Sequence, residues 1–99
     1  MTTEYTFLSG DRCDVVFDLG PDGVTVVEVK NGDRWELVKG IYQAVKYRAL
    51  MVAEKGHGAL YPVRARLVAY DHIPEDIRGL ADKLSIWCYT VPRSLVSPG

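Results

Sequence analysis

The chain has 99 residues, 47% apolar and 25% charged, the proportions of an ordinary globular domain of modest stability. Its formal net charge of −1 excludes a protein that coats nucleic acid by bulk electrostatics, and no apolar run approaches the ~20 residues of a membrane span. Met1-Thr2-Thr3-Glu4 lacks the basic-then-apolar pattern of a signal peptide, so a cytoplasmic protein with no membrane association is expected.

Tyr5 to Leu8 reads as a short strand that stops at the turn composition Ser9-Gly10-Asp11. Cys13 to Leu19 is a second strand, and Gly20-Pro21-Asp22-Gly23 a tight hairpin connection, with Asp18 and Asp22 as turn formers. Val24 to Lys30 is the antiparallel partner. Asn31-Gly32-Asp33 breaks that strand, and Asp33 is placed to cap a helix. From about Arg34 to Glu54 the pattern is helical, with Val38, Ile41, Tyr42, Val45, Ala49 and Val52 forming a stripe expected to pack on the sheet. Trp35 reads as a core or staple aromatic, with base stacking as the alternative. Gly56-His57-Gly58 ends the helix, and His57 reads as a turn residue. Val63 to Tyr70 is a strand, Ile73-Pro74 starts a short helix through about Leu84, and Ser85 to Val91 is the last strand. Asp71-His72 follows a strand end, a common place for functional groups in α/β folds. The order predicts one α/β domain over residues 1–91, with an antiparallel meander followed by helix-connected strands and a loose tail over 92–99. Cys13 and Cys88 lie in different strands with no Cys-x-x-Cys spacing, which favours two buried reduced thiols over zinc or a disulfide.

Glu28 and Lys30 are two residues apart on a strand and share a face, and Asp14 lies in the strand paired with it. Two carboxylates can hold Mg²⁺ through oxygen, and a lysine beside them can steer or deprotonate a water. Alternating charges on a strand also make simple cross-strand salt bridges. In the long helix, Gln43 and Tyr47 share a face at i and i+4 and project away from the predicted stripe. That face meets either a substrate or a subunit interface, the second supported by Ala44, Leu50 and Met51 on the outer flanks. Arg34, Lys39, Lys46, Arg64 and Arg66 are candidates for local phosphate contact, against a plain solvated-surface reading.

Asp14, then Glu28-x-Lys30 across a hairpin, then a helix containing Gln43-x-x-x-Tyr47, resembles the PD-(D/E)XK nuclease superfamily and its RecB-type branch. The resemblance runs from about Tyr5 through Tyr70. It implies a restriction-endonuclease-like mixed sheet in the order βββαβαβ, with a long helix after the third strand. It further implies Mg²⁺ or Mn²⁺ held by Asp14, Glu28 and the carbonyl of Val29. Lys30 would position the attacking water and offset developing negative charge, with Gln43 and Tyr47 near the active site and the DNA. Arg34, Lys39 and Lys46 are the expected nucleic-acid contacts. Cys13 stands where the family name expects proline. The family's first helix has no counterpart before Tyr5, so a homodimer contact or a partner subunit or domain is expected to replace it. The expected function is a Mg²⁺-dependent nuclease domain acting on DNA; the alternative is a non-catalytic nucleic-acid-binding or protein-interaction module of the same fold.

Overall fold

The computed structural model describes residues 1–31, 33–55, 62–70 and 72–92. Its strands are β1 (Thr2–Thr6), β2 (Arg12–Asp18), β3 (Val24–Lys30), β4 (Val63–Tyr70) and β5 (Ile86–Val91), and its helices are α1 (Arg34–Lys55) and α2 (Glu75–Lys83). The strands form one sheet in the order β1-β2-β3-β4-β5. Pairing is antiparallel from β1 to β3 and parallel from β3 to β5, which is the mixed α/β arrangement the sequence predicts. The expected helix end at Gly56-His57-Gly58, the residue Asp71 and the tail from 93 onward lie outside the described residues.

Local chemistry explains most boundaries. Asp33 Oδ1 accepts from the amides of Trp35 at 2.8 Å and Glu36 at 3.3 Å, capping α1 as expected. The Gly20–Asp22 turn is a single 3₁₀ turn in which Asp18 Oδ1 accepts from the Gly20 amide at 3.0 Å. Gly23 follows with φ 105° and ψ −169°, a region open in practice only to glycine. A Cβ there would also lie 2.3 Å from the Pro62 carbonyl oxygen. That close approach lets the Val24 amide donate to Pro62 at 2.9 Å, tying the hairpin to the start of β4.

Two boundaries move. β1 pairs through Thr2 to Thr6 rather than Tyr5 to Leu8, because threonine suits the ladder while Phe7 leaves it to enter the core and Leu8 stays in solvent. The short second helix starts at Glu75, because Pro74, extended at ψ 148°, sits at its N-cap.

Both helices pack on the same face of the sheet. Val24, Val26, Ala65, Leu67 and Ile86 from that face join Leu37, Ile41, Ala44 and Met51 of α1 and Ile77 and Ala81 of α2 in one core. The predicted helix stripe is therefore turned: Ile41 is in the core and Val38 and Val45 are packed at its edge, but Tyr42, Ala49 and Val52 are exposed. The reason is Gly40. A Cβ at that position would lie 2.7 Å from Lys30 Cγ and 2.8 Å from Leu67 Cδ1, so the helix line that lacks a side chain is the one that approaches the sheet. Trp35 is 72% exposed and serves neither core nor staple. Both cysteines are free; Cys13 is buried, whereas Cys88 is only half-buried, because it lies on the outermost strand, β5.

Candidate active site

The β2–β3 ladder ends at the pair Val15 and Val27. Cys13 and Val16 are both in the core although they are an odd number of residues apart, so the strict alternation of a strand is broken between them and β2 bends away from β3. The gap is filled by side chains. Val29 N–H donates to Asp14 Oδ2 at 2.9 Å, and Asp14 N–H donates to Glu28 Oε1 at 3.3 Å. The Cys13 thiol also donates into this region, to the carbonyls of Val15 and Val27, and burial pushes its pKa up to about 11.

Glu28 is 3% exposed. Burial first, and the charge of Asp14 second, push its carboxyl up to about 7. Lys30 Nζ lies 3.8 Å from Glu28 Oε2 and 3.9 Å from Glu36 Oε2, so it offsets the acid pair only in part. The structure thus brings Asp14, Glu28 and Lys30 together, under the helix-covered face and at the carboxyl end of β3.

Glu36, Gly40, Gln43 and Tyr47 follow one another at helical spacing along the flank of α1. Glu36 and Gly40 both touch Lys30, which places this flank beside the acids. Tyr47 does not project away from the core as its place off the predicted stripe implied. It is 7% exposed, stacked on Phe7 with ring centroids 5.5 Å apart. Its hydroxyl pKa is raised by burial first, then by the charge of Glu28. Ala44 and Met51, read as outer flanks, are core residues, and Leu50 packs at the core's edge. Gln43 is half-buried and its Oε1 is buried with no hydrogen-bond partner.

On the outer side of Gln43, a hollow of about 580 Å³ is lined by Trp35, Val38, Lys39, Tyr42, Gln43 and Lys46. Two of the three expected phosphate contacts, Lys39 and Lys46, share it. Lys46 also pairs with Asp11 at 2.7 Å, which holds the Asp11 carboxyl below its ordinary range. Arg34 stands apart in an ion pair with Asp76. Trp35, Val38 and Tyr42 are the residues of this hollow that sequence reasoning assigned to the core, and Val38 alone packs at its edge; only the position of Gly40 reveals that the side of Trp35 and Tyr42 is outermost.

The donor set can be tested against Mg²⁺. Among the described residues no three His, Cys, Asp or Glu side chains gather as a metal cluster. Two carboxylates and water are nonetheless the usual protein share of a Mg²⁺ site. Asp14 Oδ1 takes part in none of the hydrogen bonds above, and each bonded carboxylate oxygen retains a second lone pair. Val29 turns its N–H toward β2, and a strand residue's carbonyl points to the same side as its N–H, so a backbone oxygen lies on the same edge. A buried glutamate beside a half-buried aspartate, neutralised only in part by lysine, fits a hard divalent cation.

No family model matches the chain, and no curated protein and no solved structure matches it either. Among the described residues no helix is long and apolar enough to cross a membrane.

Proposed function

We propose that this chain is a Mg²⁺-dependent nuclease of the PD-(D/E)XK kind, with a restriction-endonuclease-like sheet, that hydrolyses DNA phosphodiester bonds. The observation that carries the proposal is the pairing of half-buried Asp14 with buried Glu28 at the point where β2 leaves β3, with Lys30 3.8 Å from Glu28. Asp14, Glu28 and the Val29 carbonyl are the groups that would hold the metal, which supplies Lewis-acid activation of a phosphoryl oxygen and of water when bound. Lys30 orients the water and faces the negative charge that grows on the phosphoryl oxygens. Glu36 holds Lys30 from the helix side. Gln43 offers its unpartnered amide oxygen to a substrate or water donor, and Tyr47 closes the floor of the site against Phe7.

The test is incubation of the purified chain with single-stranded, duplex and flap DNA, with Mg²⁺ and with EDTA. Cleavage with Mg²⁺ alone is expected, and Glu28→Gln and Lys30→Met should each slow it by about 10²–10³-fold while the circular dichroism spectrum is unchanged. Cleavage by both variants at the parental rate overturns the assignment.

One observation favours a second reading. The hydrogen bonds among Asp14, Glu28 and Val29 satisfy backbone groups left open by the bend in β2, which is a structural service that a non-catalytic module of this fold would also need. Calorimetric titration with Mg²⁺ separates the two: a site for catalysis takes up the ion and loses it in Glu28→Gln, whereas a purely structural clip takes up none.

A further inference from the structure

The sheet face opposite the helices carries a row that crosses four strands. Phe17 on β2 pairs with Thr25 on β3, Thr25 with Arg64 on β4, and the next β4 residue on that face, Arg66, with Trp87 on β5. Tyr89 stands two residues beyond Trp87 and so on the same side. Among the described residues no helix lies on this face, and Trp87, Tyr89 and Phe17 are 54%, 42% and 38% exposed. The guanidinium carbon of Arg66 sits 5.5 Å from the Trp87 ring centroid and 5.4 Å from that of Tyr89. Its Nε is buried without a hydrogen-bond partner. On its other side a hollow of about 200 Å³ opens between Phe17, Leu19, Thr25 and Arg66.

Parallel strands are ordinarily covered on both faces, and among the described residues β3, β4 and β5 are covered by helices on one. The chemistry of the open face restricts what covers it. From Val15 on, the residues that β2, β3, β4 and β5 direct to this side include two arginines and no Asp, Glu, Asn or Gln, in a chain whose net charge is −1. Arg64 spends one contact on the Asp22 carbonyl at 3.3 Å, which neutralises no charge. A second copy of the chain is a poor occupant, because an isologous contact would set these arginines against themselves with no carboxylate between them. A polyanion with flat apolar faces is a good one. Nucleobases stack on exposed aromatic and guanidinium planes only when they are unpaired, and phosphates take the arginine donors. The absence of carboxylate and amide acceptors leaves little to hold a 2′-hydroxyl.

We infer that the open sheet face binds single-stranded DNA, with bases stacked on Trp87 and Tyr89 and at Phe17, and with phosphates on Arg64 and Arg66. The inference stands on this face alone and does not depend on the nuclease reading.

The chain has two tryptophans, so Trp35→Phe leaves Trp87 as the sole indole reporter. That variant is titrated with an oligothymidine in EDTA, where no cleavage interferes. The expected result is saturable quenching of Trp87 fluorescence, with weaker binding of the oligouridine and of a blunt duplex of the same length. Tyr89→Ala should weaken oligothymidine binding by about tenfold. Arg66→Gln should make the slope of log K against log salt shallower by about 0.7. Tyr89 is exposed, and a thermal melt confirms that both variants are folded. Absence of quenching overturns the proposal. So does binding that neither variant alters, which would place the strand in the α1 hollow. Sedimentation showing a dimer that Trp87→Ala dissolves would assign the face to a second copy instead.

Discussion

Glu28 is the residue on which the proposed chemistry and the stability of the fold meet. Its folded-state pKa is raised from 4.5 to about 7. Below the lower value both the folded and unfolded chains carry the proton and burial has no electrostatic penalty. As pH rises between the two values the unfolded chain ionises first, so stability falls, and it levels off above the folded pKa. At about 1.4 kcal/mol per pKa unit the loss is up to ~3 kcal/mol. A cation bound by the acid pair reverses the sign, because it favours the ionised form. The expected outcome in thermal melts is a midpoint that falls through this window without metal and a Mg²⁺ increment that is largest well above neutral pH. Both effects should vanish in Glu28→Gln. The shared face of Glu28 and Lys30 was legible because side chains alternate along a strand. The way Asp14 reaches them was not, since the bend between Cys13 and Val16 depends on the buried thiol and on side-chain capping of Val29 N–H, neither of which has a sequence pattern.

At the scale of the element, α1 shows how a helix can be located and still be turned wrongly. Its limits follow from Asp33 at one end and the apolar content of its length, and the structure differs from the reading by one residue at the other end. Its buried side was misread because apolar residues occur all around it, so more than one stripe satisfies helical spacing. Glycine contributes nothing to a hydrophobic pattern, yet Gly40 marks the line of closest approach. Replacing it makes that argument measurable. Gly40→Val forces its side chain against Lys30 Cγ and Leu67 Cδ1 and should cost about 1–3 kcal/mol in denaturant unfolding. It should also displace Lys30 and lower the proposed Mg²⁺-dependent cleavage more than global stability alone explains. The same rotation moves Trp35 and Tyr42 outward, beside Lys39 and Lys46.

In the whole molecule, an antiparallel half and a parallel half meet along β3, and the hairpin tip is where the two are joined. Gly23→Ala places a side chain in a conformation that costs about 1–3 kcal/mol by itself and pushes it into the Pro62 carbonyl. A lower urea midpoint with unchanged far-ultraviolet circular dichroism is the expected outcome. The element order and the mixed sheet were readable from the change of pattern along the chain, whereas the one-sided placement of both helices was not, because nothing in a strand of alternating valines says which side receives a helix. The central position of β3 has a further consequence during synthesis. Its final neighbour, β4, lies beyond the whole of α1, so at ~5–20 residues per second the ribosome exposes a valine-rich strand with one unpaired edge for roughly two to seven seconds. Glu28 and Lys30 are the two charges that interrupt that strand, and charged side chains on an unpaired edge oppose edge-to-edge association.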